Sequence, residues 1–449
     1  MILGDGSPPA HETDEPTTLS TQPAGVRSAL ASLILSRAYL PVMIAVGVAV
    51  RLTWILWYRP RPVSDFVWYR AVGRSIANGS GFAYAGTPTA TRPPGYPLLL
   101  SFANILSSNS LLADRILTTV FGVGTIVLAY LIARTLFRSE ITARITVLLL
   151  VFFPNQIAYG GLTASELPFS FFILLGAWAL LSNKRSIWIT LGAGAAFGAA
   201  LLIRPVALVL PFVVVLVLLR REGLKALLRN LVVTYVVIGL MLTPWLVRNH
   251  TAFGRYAYSA EGGEALLEGT FPHIPKGRDV VARSHKLVPP TGDPIVDDAA
   301  RQTYALRYIK SHPVYMLRLI PGKLYYMHWS DSEAIAWTIE GLATPTQPAP
   351  ASLRTWGSIA NDYYLAVLIL TFVGLLAGIV GRKKGVPFSG LPAWIWLATI
   401  LFYLPFVGTA RYHAPLIPWM AMYAGVVGAM LIGRARDRGL GPRPMISAS

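Results

Sequence analysis

The sequence predicts an all-α integral membrane protein of about ten transmembrane helices. Three observations predict it. Of the 449 residues, 54% are hydrophobic and only 13% are charged, against about 25% charged in soluble chains. Mean hydropathy is +0.53. The apolar residues also fall in runs near 39–58, 112–133, 145–163, 167–183, 187–203, 205–219, 230–247, 359–381, 389–407 and 413–433. Most of these reach the roughly 17–25 residues that a helix needs to cross hydrocarbon.

The formal net charge of +18 comes from 39 Lys+Arg against 21 Asp+Glu, and the pI is near 10.2. So basic a chain suggests nucleic acid as a partner. The basic residues, however, are scattered between apolar runs and form no contiguous patch, so membrane lipid is the expected partner and nucleic acid is not. The chain has no Cys, which excludes disulfides, thiol catalysis and Cys-ligated metals. Twelve Trp and twenty Tyr suit a protein with many bilayer interfaces.

Residues 1–26 are a polar tract with four acids and no signal-peptide pattern; residues 1–38 are assigned to a disordered cytoplasmic tail. The first span carries one charge, Arg51. The basic clusters Arg134/Arg138/Arg144, Lys184/Arg185, Arg220/Arg221/Lys225/Arg229, Arg382/Lys383/Lys384 and Arg434/Arg436/Arg438 should all be cytoplasmic by the positive-inside rule. The spans then pair off, each pair leaving the cytoplasm and returning. The first span also starts inside, flanked by Arg27 and Arg37. The run 112–133 must therefore re-enter, and the short apolar stretch 95–106 between them cannot cross. It is expected as a juxtamembrane helix on the outer face.

The outcome is a transmembrane module over 39–247 with an external loop at 59–111, a large external loop at 248–358, C-terminal helices over 359–433, and a basic cytoplasmic tail at 434–449. Within the large loop, 294–311 reads as an amphipathic helix. Asp297 and Asp298 are placed on its solvated face. The protein is expected in the plasma membrane, multi-pass, with both termini cytoplasmic.

Between residues 16 and 221 the only acids are Asp65, Asp114, Glu140 and Glu166. Glu140 falls among cytoplasmic arginines, where a salt bridge is expected; the other three fall at the outer interface. Arg59, Arg61, Arg70, Arg74, Arg92, Arg115, Arg204, Arg248 and Arg411 gather on the same face, against the orientation signal. An ionisable group near the bilayer is a functional hypothesis, and guanidinium suits phosphate oxygens in a bidentate fork. Isolated carboxylates among many arginines fit a phosphate-bearing substrate and a carboxylate base. Contact with anionic headgroups is the plain alternative.

The segment Ser64-Asp65-Phe66…Tyr69…Gly79-Ser80-Gly81…Arg92-Pro93-Pro94-Gly95-Tyr96-Pro97 resembles the first external loop of GT-C glycosyltransferases. It is closest to the branch of protein O-mannosyltransferases and the lipid A aminoarabinose transferase, family 39-like. Pro154-Asn155-Gln156…Thr163-Ala164-Ser165-Glu166 is similar to that family's acidic start of a span. Pro244-Trp245-Leu246-Val247-Arg248-Asn249 is similar to its exit into the large loop, and Arg411-Tyr412-His413-Ala414-Pro415…Pro418 to its late Arg-Tyr span. Gly262-Gly263…Glu268-Gly269 resembles a Gly-rich piece of bacterial members. Arg92 stands where the aminoarabinose transferase branch has Lys.

The resemblance implies a GT-C-like fold and inverting sugar transfer from a polyprenyl-phosphate donor to an acceptor hydroxyl on a glycan, lipid or protein, on the extracytoplasmic face. Attack by a hydroxyl needs a nearby base, and the departing lipid phosphate needs its charge stabilised. Asp65 is the candidate catalytic base; a structural salt bridge with Arg59, Arg61 or Arg92 is its alternative. Arg92, Arg248 and Arg411 are the candidates for the donor phosphate. Glu166, Arg204, Tyr69, Tyr96 and His413 are candidate substrate-binding residues. Glu166 could instead be a first-turn acid that stabilises its helix, and His413, like His328, an interfacial histidine satisfied by neighbours. Asp114 and Arg115 read as a local ion pair, and Arg51 as internally paired. Without a His-x-x-x-His or Asp-x-Asp pattern no metal is assigned, and the lipid-linked sugar is the only small molecule expected. A flippase or transporter of lipid-linked anions, and a glycan ligase using a pyrophosphate carrier, are the competing readings.

Overall fold

The computed structural model describes residues 26–182, 186–271, 278–344, 346–381 and 389–437. Lys184, Arg185, Arg382, Lys383, Lys384 and Arg438 of the basic clusters, the tract 1–25, and the tail beyond 437 lie outside the described residues.

The chain is an all-α membrane protein. The helices are α1 (Val26–Leu35), α2 (Tyr39–Trp57), α3 (Asp65–Ala77), α4 (Gly95–Ser107), α5 (Leu111–Phe137), α6 (Glu140–Val151), α7 (Pro154–Gly160), α8 (Glu166–Leu181), α9 (Ile187–Leu201), α10 (Leu210–Glu222) and α11 (Leu224–Phe253). They continue with α12 (Gly262–Glu268), α13 (Arg278–Leu287), α14 (Pro294–Ser311), α15 (Pro313–His328), α16 (Glu333–Leu342), α17 (Ser352–Gly381), α18 (Leu391–Tyr403) and α19 (Ile417–Asp437). Among the described residues the only strands are β1 (Ala83–Tyr84) and β2 (Thr87–Pro88), a two-residue antiparallel hairpin in the first loop.

Every expected span has a helix. Five are long and apolar enough to cross alone: α2, α5, α11, α17 and the stretch Ala410–Ile432 that includes most of α19. The pair α6 and α7 makes a sixth if counted as one span bent by 60°. The bend was not expected, although Pro154 at the first position of α7 marks it. The runs at α8, α9, α10 and α18 are shorter apolar helices, and each packs against a longer one: α8 on α5, α9 and α10 on α11, and α18 on α19.

Three boundaries differ from expectation. Val26–Leu35, assigned to the disordered tail, is helical and packs on α19 and α6. Helix α11 runs on to Phe253 and α17 begins at Ser352, so the second loop is 254–351. Within it, α14 matches the expected 294–311, but Asp297 and Asp298 are not solvated; both are buried. Asp297 accepts from Thr291, and Asp298 accepts from the backbone amides of Gly263 and Glu264, capping α12 from outside.

Helix α4 is the expected juxtamembrane element. At thirteen residues and about 1.5 Å per residue it is too short to cross. Its first residue, Gly95, donates to the Leu202 carbonyl at 2.7 Å, and a β-carbon there would lie 2.7 Å from the same carbonyl group. Gly95→Ala is expected to push α4 off the α9 end. A thermal melt in detergent should show about 1–3 kcal/mol of destabilisation, the usual cost of overpacking. An unshifted melting temperature would mean the approach is looser than this.

Arg51 is internally held as expected, but by carbonyls. It donates to Gly47, Leu150 and Val151, the last two directly before the α6–α7 bend. Glu140 also meets its expected arginines, Arg144 at 2.5 Å and Arg134 at 3.5 Å. That trio closes the end of α5 and the start of α6. The opposite end of α5 meets the first loop, through Asp114 on Arg70 and Arg115 on the Pro60 carbonyl.

Candidate active site

Asp65 is the first residue of α3. Ser64 before it holds φ 51, ψ −133, a region L-residues seldom adopt, and such strain collects at functional sites. The turn aims the Asp65 carboxylate between two guanidiniums. Oδ1 lies 2.8 Å from Arg92 Nη2 and Oδ2 lies 2.5 Å from Arg411 Nη1. Arg92 enters from the loop just before α4, and Arg411 from a short 3₁₀ turn ahead of α19.

The charges continue in alternation. Arg411 Nε donates to Glu166, the first residue of α8, and Arg204 reaches the same oxygen at 2.7 Å. Arg204 also donates to Ser165. On the other flank Arg92 lies 3.4 Å from Glu261, in the loop that opens α12. The order Glu261–Arg92–Asp65–Arg411–Glu166–Arg204 is a chain of three acids and three arginines, supplied by six separate segments. Aromatic faces back it: Tyr69 and Trp68 under Arg92 at 5.6 and 5.8 Å, Trp337 and Phe66 under Arg411 at 5.3 and 5.8 Å.

The arrangement holds unspent donors. Arg92 Nε, Arg204 Nε and Arg411 Nη2 are buried without a hydrogen-bond partner, a costly state unless something fills it. Burial pushes the Asp65 carboxyl up, but the Arg411 and Arg92 guanidiniums outweigh it and hold it well below the usual carboxylate range. At rest, then, Asp65 is ionised and a weak base.

The structure thus brings together Asp65, Arg92, Glu166, Arg204 and Arg411, with Tyr69 beneath. The salt-bridge alternative for Asp65 names Arg92 correctly but not Arg59 or Arg61. Three candidates lie elsewhere. Arg248 is spent on the Thr89 and Phe82 carbonyls and on Asn249, bracing the hairpin loop that leads to Arg92. The Tyr96 hydroxyl bonds Thr118 in the core. His413 is fully buried, with Nδ1 on the Met327 carbonyl and Nε2 3.1 Å from Asp331. Asn155 completes that group by donating to Asp331, and His328 meets the Tyr364 hydroxyl at 3.0 Å. Burial lowers the His328 imidazole to about 3. This second cluster anchors the chain two residues from Arg411. Asp114 and Arg115 are not paired with each other: Asp114 holds Arg70 at 3.1 Å and Asn104 at 2.9 Å, and Arg115 donates to the Pro60 carbonyl.

Sequence reading missed Glu261, Asp331 and Asn155 as members of these clusters. Two signals were available: the motif piece Gly262-Gly263 begins one residue after Glu261, and Asn155 stands inside the Pro154-Asn155-Gln156 motif.

An all-α membrane bundle carrying an acid–arginine site on its loop-side end can be set beside known proteins. Residues 91–247 match the family model described as dolichyl-phosphate-mannose-protein mannosyltransferase. No curated protein matches the sequence. The archaeal oligosaccharyltransferase AglB from Archaeoglobus fulgidus, solved with an inhibitory peptide and a dolichol-phosphate, aligns at TM-score 0.53 and 16% identity, over 92% of this chain and 53% of that one. A second structure of the A. fulgidus oligosaccharyltransferase, tethered to an acceptor peptide with the NVT sequon, aligns at 0.55 and 16%, over 91% and 51%. ArnT from Cupriavidus metallidurans, bound to undecaprenyl phosphate, aligns at 0.42 and 14%, over 91% and 82%. The two oligosaccharyltransferase alignments show that the chain shares their fold, the GT-C fold. It spans about half the length of the oligosaccharyltransferase chains it matches.

Proposed function

We propose that the protein is a polyprenyl-phosphate-dependent glycosyltransferase. It moves a sugar to an acceptor hydroxyl on the extracytoplasmic face, with inversion. The observation that carries this reading is Asp65 held between Arg92 and Arg411, with unspent guanidinium N–H groups beside it. The donor phosphate takes those N–H groups and draws at least one arginine from Asp65. Asp65 thereby becomes a better base as the donor arrives. It removes the acceptor hydroxyl proton while the oxygen attacks the anomeric carbon. The bond from that carbon to the phosphate oxygen breaks, and the polyprenyl phosphate leaves with the electron pair, its charge met by Arg92 and Arg411. The anomeric centre becomes oxocarbenium-like, and the nearby Glu166 adds favourable negative charge. Glu166 chiefly fixes Arg411 and Arg204 in place. No metal or organic cofactor is assigned.

The sidedness follows the same reading: all six charged groups lie at helix ends beside the loops at 58–110 and 254–351, and Arg134, Glu140 and Arg144 mark the cytoplasmic end. Purified protein in liposomes, given a radiolabelled polyprenyl-phosphate sugar, is expected to release polyprenyl phosphate and label an acceptor. Lipid that crosses the bilayer intact would make the protein a transporter, and consumption of a pyrophosphate-linked glycan alone would make it a ligase.

A further inference from the structure

Three acids and three arginines sum to zero charge. The donor proposed above is a phosphodiester and brings one negative charge into a buried neutral cluster, which is expensive unless it is compensated. The three carboxylates are unequally placed to adjust. The Glu166 side chain is 1% exposed and Asp65 is 21% exposed, and each is held by two arginines. Glu261 is 42% exposed, and among the described residues its ion pair is with Arg92, at 3.4 Å the longest of this six-residue cluster.

The Glu261 loop is built to present that side chain. The Ala260 amide donates to the Ala90 carbonyl at 2.8 Å, tying the loop to the segment that carries Arg92. Asp298, from α14, caps the α12 amides, so the helix start does not use Glu261. A β-carbon on Gly263 would lie 1.9 Å from the Asp298 carbonyl oxygen, so the two backbones are locked together. Facing Glu261 are Arg92, Asp65, Arg411 and Arg204, with Tyr69, Tyr258 and Tyr412 around them. Although its side chain is 42% exposed, the walls around the carboxyl strip part of its hydration and the Asp65 charge adds to this; Arg92, Arg411 and Arg204 pull the other way without cancelling it, so the carboxyl lies above its ordinary value. Once Arg92 turns toward a phosphate, the largest lowering influence is gone and a further negative charge is present.

We propose that Glu261 is the releasable counter-ion of Arg92: when a lipid phosphodiester takes Arg92, Glu261 takes up one proton from water and neutralises the added charge. No substrate bond breaks in this step. The cluster keeps zero net charge with donor bound, and again after transfer, when Asp65 holds the acceptor proton and the leaving phosphate carries two charges.

This inference rests on the proposed donor site, and its test separates the two. The probe is a short-chain prenyl phosphodiester, which has no phosphate proton to exchange near neutral pH. Binding to the full-length protein in non-ionic detergent is measured by calorimetry in two buffers of different ionisation enthalpy. The wild type is expected to take up about one proton per ligand, with Kd rising up to about tenfold per pH unit as Glu261 ionises in the free protein. Glu261→Gln should bind with no proton uptake and a Kd flat between pH 6 and 8. Uptake unchanged in Glu261→Gln, or absent in the wild type, overturns the proposal; if Glu261→Gln fails to fold, Glu261→Asp takes its place, with uptake kept and its pH dependence shifted, and an unshifted dependence overturns the proposal equally. Absence of binding by either protein would remove the donor site itself, and this inference with it.

Discussion

Asp65→Asn is expected to lower the rate of sugar transfer about 10²–10⁴-fold, the usual weight of a general base, while donor binding is unchanged or tighter. Asparagine is the same size and still accepts from one arginine, so the α3 turn stays in place. What it lacks is the charge that removes the acceptor proton and that competes with phosphate for Arg92 and Arg411. Single-turnover rate should therefore fall while donor affinity holds or rises. A purely structural salt bridge predicts another pattern, with weaker donor binding and a normal rate per folded molecule; lost stability alone is common to both readings. Full turnover in Asp65→Asn would mean Asp65 is not the base.

The same substitution has a stability signature whose sign follows from the pair of arginines. The Asp65 carboxyl is held below its unfolded value, so its stabilisation is present above about pH 3.9 and is lost as pH falls toward the folded value. Acidification should therefore narrow the stability gap between wild type and Asp65→Asn.

Much of this site was readable in the sequence because bilayer sidedness is written in charge. Counting spans between basic clusters put Asp65, Arg92, Glu166, Arg204 and Arg411 on one face, and all five meet. What the sequence could not show was which polar groups were already occupied. Tyr96 and Thr118 are neighbours only through the packing of α4 on α5. Arg248 looked like a free cation because the carbonyls that hold it, at Thr89 and Phe82, sit some 160 residues earlier. His413 is held through Nδ1 by the Met327 carbonyl and faces Asp331 with Nε2, and no local pattern announces that. Glu261 was hidden for the opposite reason. The 254–351 loop holds many acids, and only the fold shows which of them faces an arginine. The Asp298 cap on α12 is likewise a contact between two helices, invisible to a reading that placed Asp298 on a wet face from periodicity alone.

Arg411→Leu is expected to cause the largest loss of stability of any single change in the cluster. Arg411 is the one group that joins both halves of the charge chain, meeting Asp65 and Glu166 at once. The Glu166 side chain is 1% exposed, so it cannot recover water when its partner goes. Removing one member of a buried pair typically costs about 3–5 kcal/mol; Arg204 still holds Glu166, which points to the lower part of that range. Arg411→Lys should keep part of the stability and little of the donor affinity, because one ammonium cannot reach both carboxylates and offer a free N–H fork to phosphate. The double variant Arg411→Leu/Glu166→Gln separates burial from chemistry. Neutralising Glu166 should return roughly half of the lost stability, a non-additivity expected of directly paired groups, yet leave transfer as slow as in Arg411→Leu. If thermal melts show the two substitutions to be additive, Arg411 and Glu166 are not coupled and the charge chain does not act as a unit.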